Sequence, residues 1–375
     1  MRLLFFVLVF ILFALSGVGR ASETAVERGL FVSVLEQPTV LSDRQAITDL
    51  VSFSKKNNVK ILFVQVYRAN KAWFPSSIAD SSPYRLYLQS LGEDPFAFLI
   101  RQAHQEGIEV HAWLNMLSLA ENKDAPVLKK YGPSILTKNL TPKRTLDDYK
   151  IDNQFFLEPS DKRVQKELLL IVREVLHAYP GLDGIQFDYI RYPDTAPHYG
   201  YSSDNIQRFK KAMGVKTIDD KSKAWHDWKR RQVTDFLRAL VKETRALRPK
   251  IHISTTGCMS YIRAYEEAFQ DWPNWVRSGL AEFVTIMSYP DTAEDFQKSI
   301  LDAQKRVMDF SKIKIAIPAY KAVIAPHIFK EELDSCLTSG SGGCIIFYYG
   351  ILKANPSLEN YFTPSQEKTR ELNRP

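Results

Sequence analysis

Eight short apolar runs, separated by longer amphipathic segments, set the tightest limit on what this chain can fold into. They lie at residues 30–34, 61–66, 109–113, 184–187, 251–254, 283–287, 313–317 and 344–348. Most are rich in Ile, Val or Phe, the pattern of parallel strands covered on both faces. Helical spacing falls between them, at 43–57, 95–106, 162–179, 224–247, 272–278, 293–309 and 330–339; a helix after the eighth run leaves the faintest pattern. The third helix carries Val164, Leu168, Leu169, Val172, Val175 and Leu176 three and four apart, with Ser160 or Asp161 available as its N-cap. Repeated βα units imply an α/β fold with helices outside a parallel sheet, and eight of them close a (β/α)8 TIM barrel. An open doubly wound sheet would carry a Gly-rich phosphate turn after its first strand, and none is present.

The first residues read differently. Arg2 precedes an unbroken apolar stretch over 3–15, then Ser16, Gly17 and a small-residue site, Gly19-Arg20-Ala21. That order is a secretory signal peptide cleaved after Ala21; an uncleaved N-terminal anchor is the alternative. The stretch falls short of the roughly 20 residues a membrane span needs, and no second apolar run of that length follows. The expectation is one barrel domain over residues 22–375, periplasmic or secreted, with long loops and no stable membrane span after cleavage.

Apolar residues make up 45% of the chain, enough for one large core. The formal net charge is +7, or +5 once Arg2 and Arg20 leave with the leader. It is spread over helices and loops with no basic stripe, which argues against a nucleic-acid partner and leaves room for attraction to anionic wall polymers. The cysteines are Cys258, Cys336 and Cys344, odd in number and without zinc-ligand spacing. Cys336 and Cys344 are close enough to shut a short loop in an oxidising compartment. Cys258 follows an apolar strand with no base beside it and reads as a core residue. The seven histidines form no ligand cluster, so no metal or cofactor is expected and a metal hydrolase or deacetylase is disfavoured. Nothing in the sequence bears on oligomeric state.

Strand alternation then collects a site. Gly184, Gln186 and Asp188 share one face of the fourth strand, and Ile185 and Phe187 share the other. The apolar pair must meet the helices, so Asp188 points inward at the last position, at the mouth where barrels place their chemistry. By the same alternation Gln65 and Tyr67 end strand two, and His111, Trp113 and Asn115 end strand three. Ser254 and Thr256 end strand five, Thr285, Met287 and Tyr289 strand six, and Phe347 and Tyr349 strand eight. Aromatic faces among amides and hydroxyls suit a sugar. Two long segments, 116–158 and 192–223, leave the same face; Tyr192 opens the second. Arg191 is expected to orient Asp188 and to hold its charge.

Glycoside hydrolysis generally needs two carboxylates. Asp291, two residues past Tyr289, and Glu158, returning before the third helix, are the candidates for the second; Asp194 and Glu36 lie further out.

The string Gly181-Leu182-Asp183-Gly184-Ile185-Gln186-Phe187-Asp188-Tyr189-Ile190-Arg191-Tyr192-Pro193 resembles the fourth-strand signature of bacterial glycosyl-hydrolase-like barrels, the "family-10-like" group. Asp94-Pro95 through Ala103-His104, the run from Gly107 to Asn115, Leu157-Glu158-Pro159, Trp272 to Gly279 and Met287-Ser288-Tyr289 resemble its other units, so the likeness extends from about Gly29 to Tyr349. The resemblance implies an exported bacterial enzyme acting on polysaccharide, with cell-wall glycan (including strands lacking stem peptides) or exopolysaccharide as substrate. The fourth strand also resembles chitinase-type barrels, whose pattern is Asp-Gly-x-Asp-x-Asp-x-Glu. Here Gln186 replaces the middle Asp and Ile190 the acidic Glu, which removes the acid of substrate-assisted chitin hydrolysis. The sequence therefore leaves two readings: an exported glycoside hydrolase using Asp188 with Asp291 or Glu158, and a glycan-binding barrel of the envelope without turnover.

Overall fold

A computed structural model describes residues 26–35, 38–195 and 198–362; the leader expected over 1–21, and Glu36, lie outside them. Eight parallel strands form the barrel: β1 (Glu27–Val32), β2 (Ile61–Arg68), β3 (Glu109–Asn115), β4 (Gly184–Asp188), β5 (His252–Cys258), β6 (Phe283–Met287), β7 (Ile313–Pro318) and β8 (Gly343–Phe347). Each pairs with its neighbours in chain order. The ring closes where β1 lies between β8 and β2, with Glu27 opposite Gly343 and Gly29 opposite Ile61. The principal helices are α1 (Arg44–Lys56), α2 (Pro95–Gln105), α3 (Lys162–Ala178), α4 (Lys223–Leu247), α5 (Trp272–Arg277), α6 (Ala293–Gln304), α7 (Pro326–Leu337) and α8 (Tyr349–Ala354).

Local sequence explains where these elements begin. Asp94 caps α2 through the Ala97 N–H, with Pro95 at the first helical position, where a missing N–H costs nothing. The N-cap of α3 is Asp161, which accepts from Arg163 N at 2.8 Å. Along α3, Val164, Leu168, Ile171, Val172, Val175 and Leu176 are buried between sheet and helix ring, each contributing about 1.5–3 kcal/mol relative to exposure. Two bounds differ from the sequence pattern. β5 runs on to Cys258, which brings Thr256 into the sheet. The helix expected to reach 309 ends at Gln304, and Met308, which prolonged the apolar spacing, is 96% exposed with nothing to pack on.

Inside the barrel, Phe31, Ile61, Phe63, Trp113, Phe283, Ala316 and Ile345 form a core separate from the outer one. The lower layer depends on Gly184: a Cβ there would sit 2.2 Å from the His111 ring, which lies opposite it in the β3–β4 register. The two long segments pack on each other at the mouth. The first holds a ribbon, Ser118–Ala120 against Phe155–Phe156. The second holds the helix Ser203–Met213 and is tied to the first by Gly200 N to Thr137 Oγ1 (3.0 Å) and Tyr201 N to Lys138 O (2.9 Å). Cys336 and Cys344 form a disulfide joining α7 to β8, and Cys258 is free and buried. Among the described residues no helix is long and apolar enough to cross a membrane.

Candidate active site

β4 places Ile185 and Phe187 in the outer core, and Gln186 and Asp188 inside. Asp188 ends the strand directly opposite Asn115, the last residue of β3. Three donors converge on its carboxylate. Trp113 Nε1 donates to Oδ2 at 3.0 Å; the Tyr189 N–H at 2.7 Å and the Thr256 hydroxyl donate to Oδ1. An indole N–H can only donate, so Trp113 pins one oxygen in place. The backbone makes a similar accommodation: Tyr189 has φ of +57°, a left-handed conformation unusual for an aromatic residue and the kind of local strain that gathers at functional sites. Beside this pair a second chain of hydrogen bonds runs from Ser33 to Gln65 Oε1 (3.1 Å) and from Gln65 Nε2 to Asn115 Oδ1 (3.0 Å). With its oxygen so engaged, Asn115 keeps its NH2 for the cavity it lines.

That cavity, about 740 Å³, opens at the C-terminal ends of the strands and is lined by Gln65, Trp113, Asn115, Asp188, Met287, Tyr289 and Phe347 among others. Its aromatic wall is continuous: the rings of Tyr289 and Phe347 lie 5.5 Å apart and those of Trp113 and Phe347 6.2 Å. Another part of the lining is ionic. Asp194 pairs with Arg191 and, at 2.7 Å, with Arg263. Burial works against its ionisation, but the two guanidinium groups outweigh it and hold its carboxyl below the usual range. The Cys258 thiol also lines the cavity, 3.9 Å from Asp194 Oδ2. Burial pushes its pKa up to about 11, so it is protonated and inert as a nucleophile.

Of the residues singled out in the sequence, Gln65, Trp113, Asn115, Asp188, Arg191, Met287, Tyr289 and Phe347 meet in this cavity; Ser254, Thr256 and Thr285 do not line it, and neither do Tyr67, His111, Tyr349, Tyr192, Glu158 and Asp291. Tyr67 is displaced by a β-bulge between Gln65 and Tyr67, which resets the alternation and buries its ring in the outer core, where Asn70 donates to its hydroxyl. His111 faces inward but two positions too low; it packs edge-on to Phe63 and over His252 in the lower layer. Tyr349 is carried off by the start of α8 and packs against Phe53, 5.5 Å between ring centroids. Tyr192 and Glu158 are both fully buried beside the cavity rather than in it, with the Tyr192 hydroxyl donating to Glu158 Oε1 at 2.6 Å. Burial raises the Glu158 carboxyl above its ordinary value, against the pull of Tyr192 and Ser160. Asp291 points the other way, 97% exposed and paired with Lys321 at 2.8 Å. Arg191 also differs in its partner: its ion pair is with Asp194, not Asp188, and its guanidinium stacks 4.9 Å from the Tyr189 ring.

The cavity also contains residues that alternation does not reach. Arg68, Tyr189, Ser260, Ile262 and Arg263 come from the strand ends and loops after β2, β4 and β5. Only their position just past a strand end signalled them. Among the described residues no group of three or more His, Cys, Asp or Glu is placed to hold a metal ion.

Comparison with known proteins bears on the fold and the family. The chain is 24% identical over 271 residues to glycosyl hydrolase DigH of Escherichia coli K12, covering 66% of this chain and 58% of that protein. It is 22% identical over 280 residues to glycosyl hydrolase YngK of Bacillus subtilis, covering 67% and 50%. The chain thus spans little more than half the length of these relatives. Among solved structures, the catalytic domain of β-amylase from Paenibacillus polymyxa superposes with a TM-score of 0.58 at 11% identity, covering 92% of this chain and 96% of that one. The α-galactosidase AgaA of Geobacillus stearothermophilus gives 0.52 at 11%, covering 91% and 42%. These structural likenesses establish the barrel. Residues 28–330 match the family described as glycosyl hydrolase-like 10, and with four-fifths of its length so matched, the chain belongs to the glycosyl hydrolase-like 10 family.

Proposed function

We propose that this protein is an exported glycoside hydrolase that cleaves a bacterial polysaccharide, cell-wall glycan or exopolysaccharide, in the cavity above β4. The observation that carries the reading is Asp188: a carboxylate fixed by three donors at the floor of a cavity walled by Trp113, Tyr289 and Phe347. All three contacts donate to it, which suits a nucleophile or a group that stabilises an oxocarbenium-like centre. Pyranose rings stack on the aromatic wall, while Gln65 and Asn115 meet hydroxyl groups. The second carboxyl is assigned to Asp194, because it lines the same cavity and neither Glu158 nor Asp291 does. Export is supported by the leader pattern and by the Cys336–Cys344 disulfide, a bond that persists in oxidising compartments.

One observation favours the alternative of a glycan-binding barrel without turnover: Asp194 is locked between two arginines and so is poorly placed to supply a proton. The Asp188→Asn variant separates the two readings. The amide is nearly isosteric, so glycan binding should survive, whereas turnover of wall glycan or exopolysaccharide should fall at least ~10²–10⁴-fold. If wild type binds glycan yet releases no new reducing ends across a panel of bacterial polysaccharides, the binding barrel is the correct reading.

A further inference from the structure

We propose that Arg68 makes the cavity selective for a glycan with a carboxylate on one of its sugars, Arg68 being the group that receives it; this rests on the glycan reading above. Four cationic side chains line the cavity: Arg68, Arg191, Arg263 and Lys298. Three are committed within the protein. Arg191 and Arg263 share Asp194, and Lys298 pairs with Glu294 at 2.9 Å and Asp295 at 3.1 Å. Arg68 is different. Among the described residues its side chain has no ion pair and no hydrogen bond, although it is half-buried; the carboxylate whose charge acts on it is the exposed Glu121.

A guanidinium carries five N–H donors in a rigid fork. None of the Arg68 nitrogens is among the buried side-chain atoms left without a partner, so the fork reaches the solvent of the cavity and is open to a ligand. Arg68 is the last residue of β2 and is held in an antiparallel pair with Lys71, so its origin is set by the barrel rather than by a mobile loop. It lies at the same mouth as Asp188. Asp188, in turn, has no ion pair among the described residues, although its charge acts on the nearby Arg191, so Arg68 and Asp188 are the lining cation and the lining carboxylate without an ion-pair partner. Both side chains line the one cavity. A singly charged sugar satisfies this arrangement: its carboxylate takes the Arg68 fork in a bidentate pair, while the neutral ring lies along the aromatic wall. A phosphate offers the same fork chemistry but brings more charge than one free cation balances.

The test uses equilibrium binding to the full-length protein, in the wild type and in the Asp188→Asn background, so that cleavage does not consume the probe. The probes are peptide-free bacterial wall glycan strands, whose alternate sugars bear an ether-linked lactyl carboxylate, and the same strands with those carboxyls reduced to alcohols. A third set carries phosphate monoesters on the reduced strands. Wild type should prefer the carboxylate strands by about 10- to 100-fold, the range of a charge-assisted hydrogen-bonded pair. In Arg68→Gln that ratio should collapse to within about 3-fold, with Arg68→Lys between, since an ammonium keeps the charge but not the fork. A wild-type ratio near one overturns the proposal without any variant, as does an unchanged ratio in Arg68→Gln. Preference for the phosphate strands overturns the choice of carboxylate. Failure of wild type to bind any strand instead removes wall glycan as the ligand, and with it the reading on which this one rests.

Discussion

Lys229 on α4 is fully buried, with its ammonium 3.7 Å from the centre of the Phe269 ring and 5.3 Å from that of Tyr201. The hydrogen bond its ammonium makes among the described residues is long, 3.4 Å to Tyr199 O. Burial pushes its pKa from the ordinary 10.5 down to about 7, with Glu158 pulling weakly the other way. In the unfolded chain the lysine keeps its ordinary value, so between pH 7 and 10.5 the unfolded state binds more protons and stability rises with pH. Below pH 7 both states are protonated and the burial penalty is fully present. Lys229→Met removes that penalty at the loss of the aromatic stack. The variant should gain stability over wild type most clearly below pH 7, and the difference should shrink steadily towards pH 10.5. Urea unfolding of both proteins at pH 6, 8 and 10 checks the slope; a difference independent of pH sinks the account. No sequence pattern singles out Lys229, because its position on α4 is ordinary for a lysine until the segment 198–202 folds over it.

At the scale of elements, the strands were legible from their apolar runs because parallel strands buried on both faces have no alternative use for such residues. Their ends were less so. Tyr67 and Tyr349 followed the alternation and still left the site, one because β2 bulges and the other because α8 begins where the strand stops. Both events depend on the neighbouring element, β3 for the bulge and Phe53 of α1 for the ring. The disulfide is the clearest case of two elements tied together. Cys336 on α7 and Cys344 on β8 are eight residues apart. Closing so short a loop restricts the unfolded chain by about 2–3 kcal/mol. Replacing both with serine should lower the unfolding free energy by that amount, read as a lower urea midpoint at unchanged slope. A midpoint equal to wild type would show the link to be thermodynamically silent. Reduction of wild type with dithiothreitol should reproduce the effect.

For the molecule as a whole, export and barrel are separate claims with separate tests. Cleavage after Ala21 should give an N-terminus at Ser22, and mass spectrometry of protein from its native host finding Met1 intact would reject it. The barrel itself follows from sequence: eight buried strands with helices between them have one economical closure, and strand period two sends Asp188 inward whatever the rest of the chain does. Trp113, Asn115, Met287 and Tyr289 come with it, since each lies within two residues of the end of its own strand. The pairings were settled only by the tertiary structure. Whether Asp188 meets Arg191 or Thr256, whether Glu158 reaches the cavity or is sealed beside it by Tyr192, and whether Arg68 is left without a partner all depend on distances between loops far apart in the chain. Alternation fixes the face of a side chain along its own strand. It carries no information about how high in the barrel a neighbour lies or which way a loop turns after the strand ends, and for this protein those two quantities decide which charges stand together.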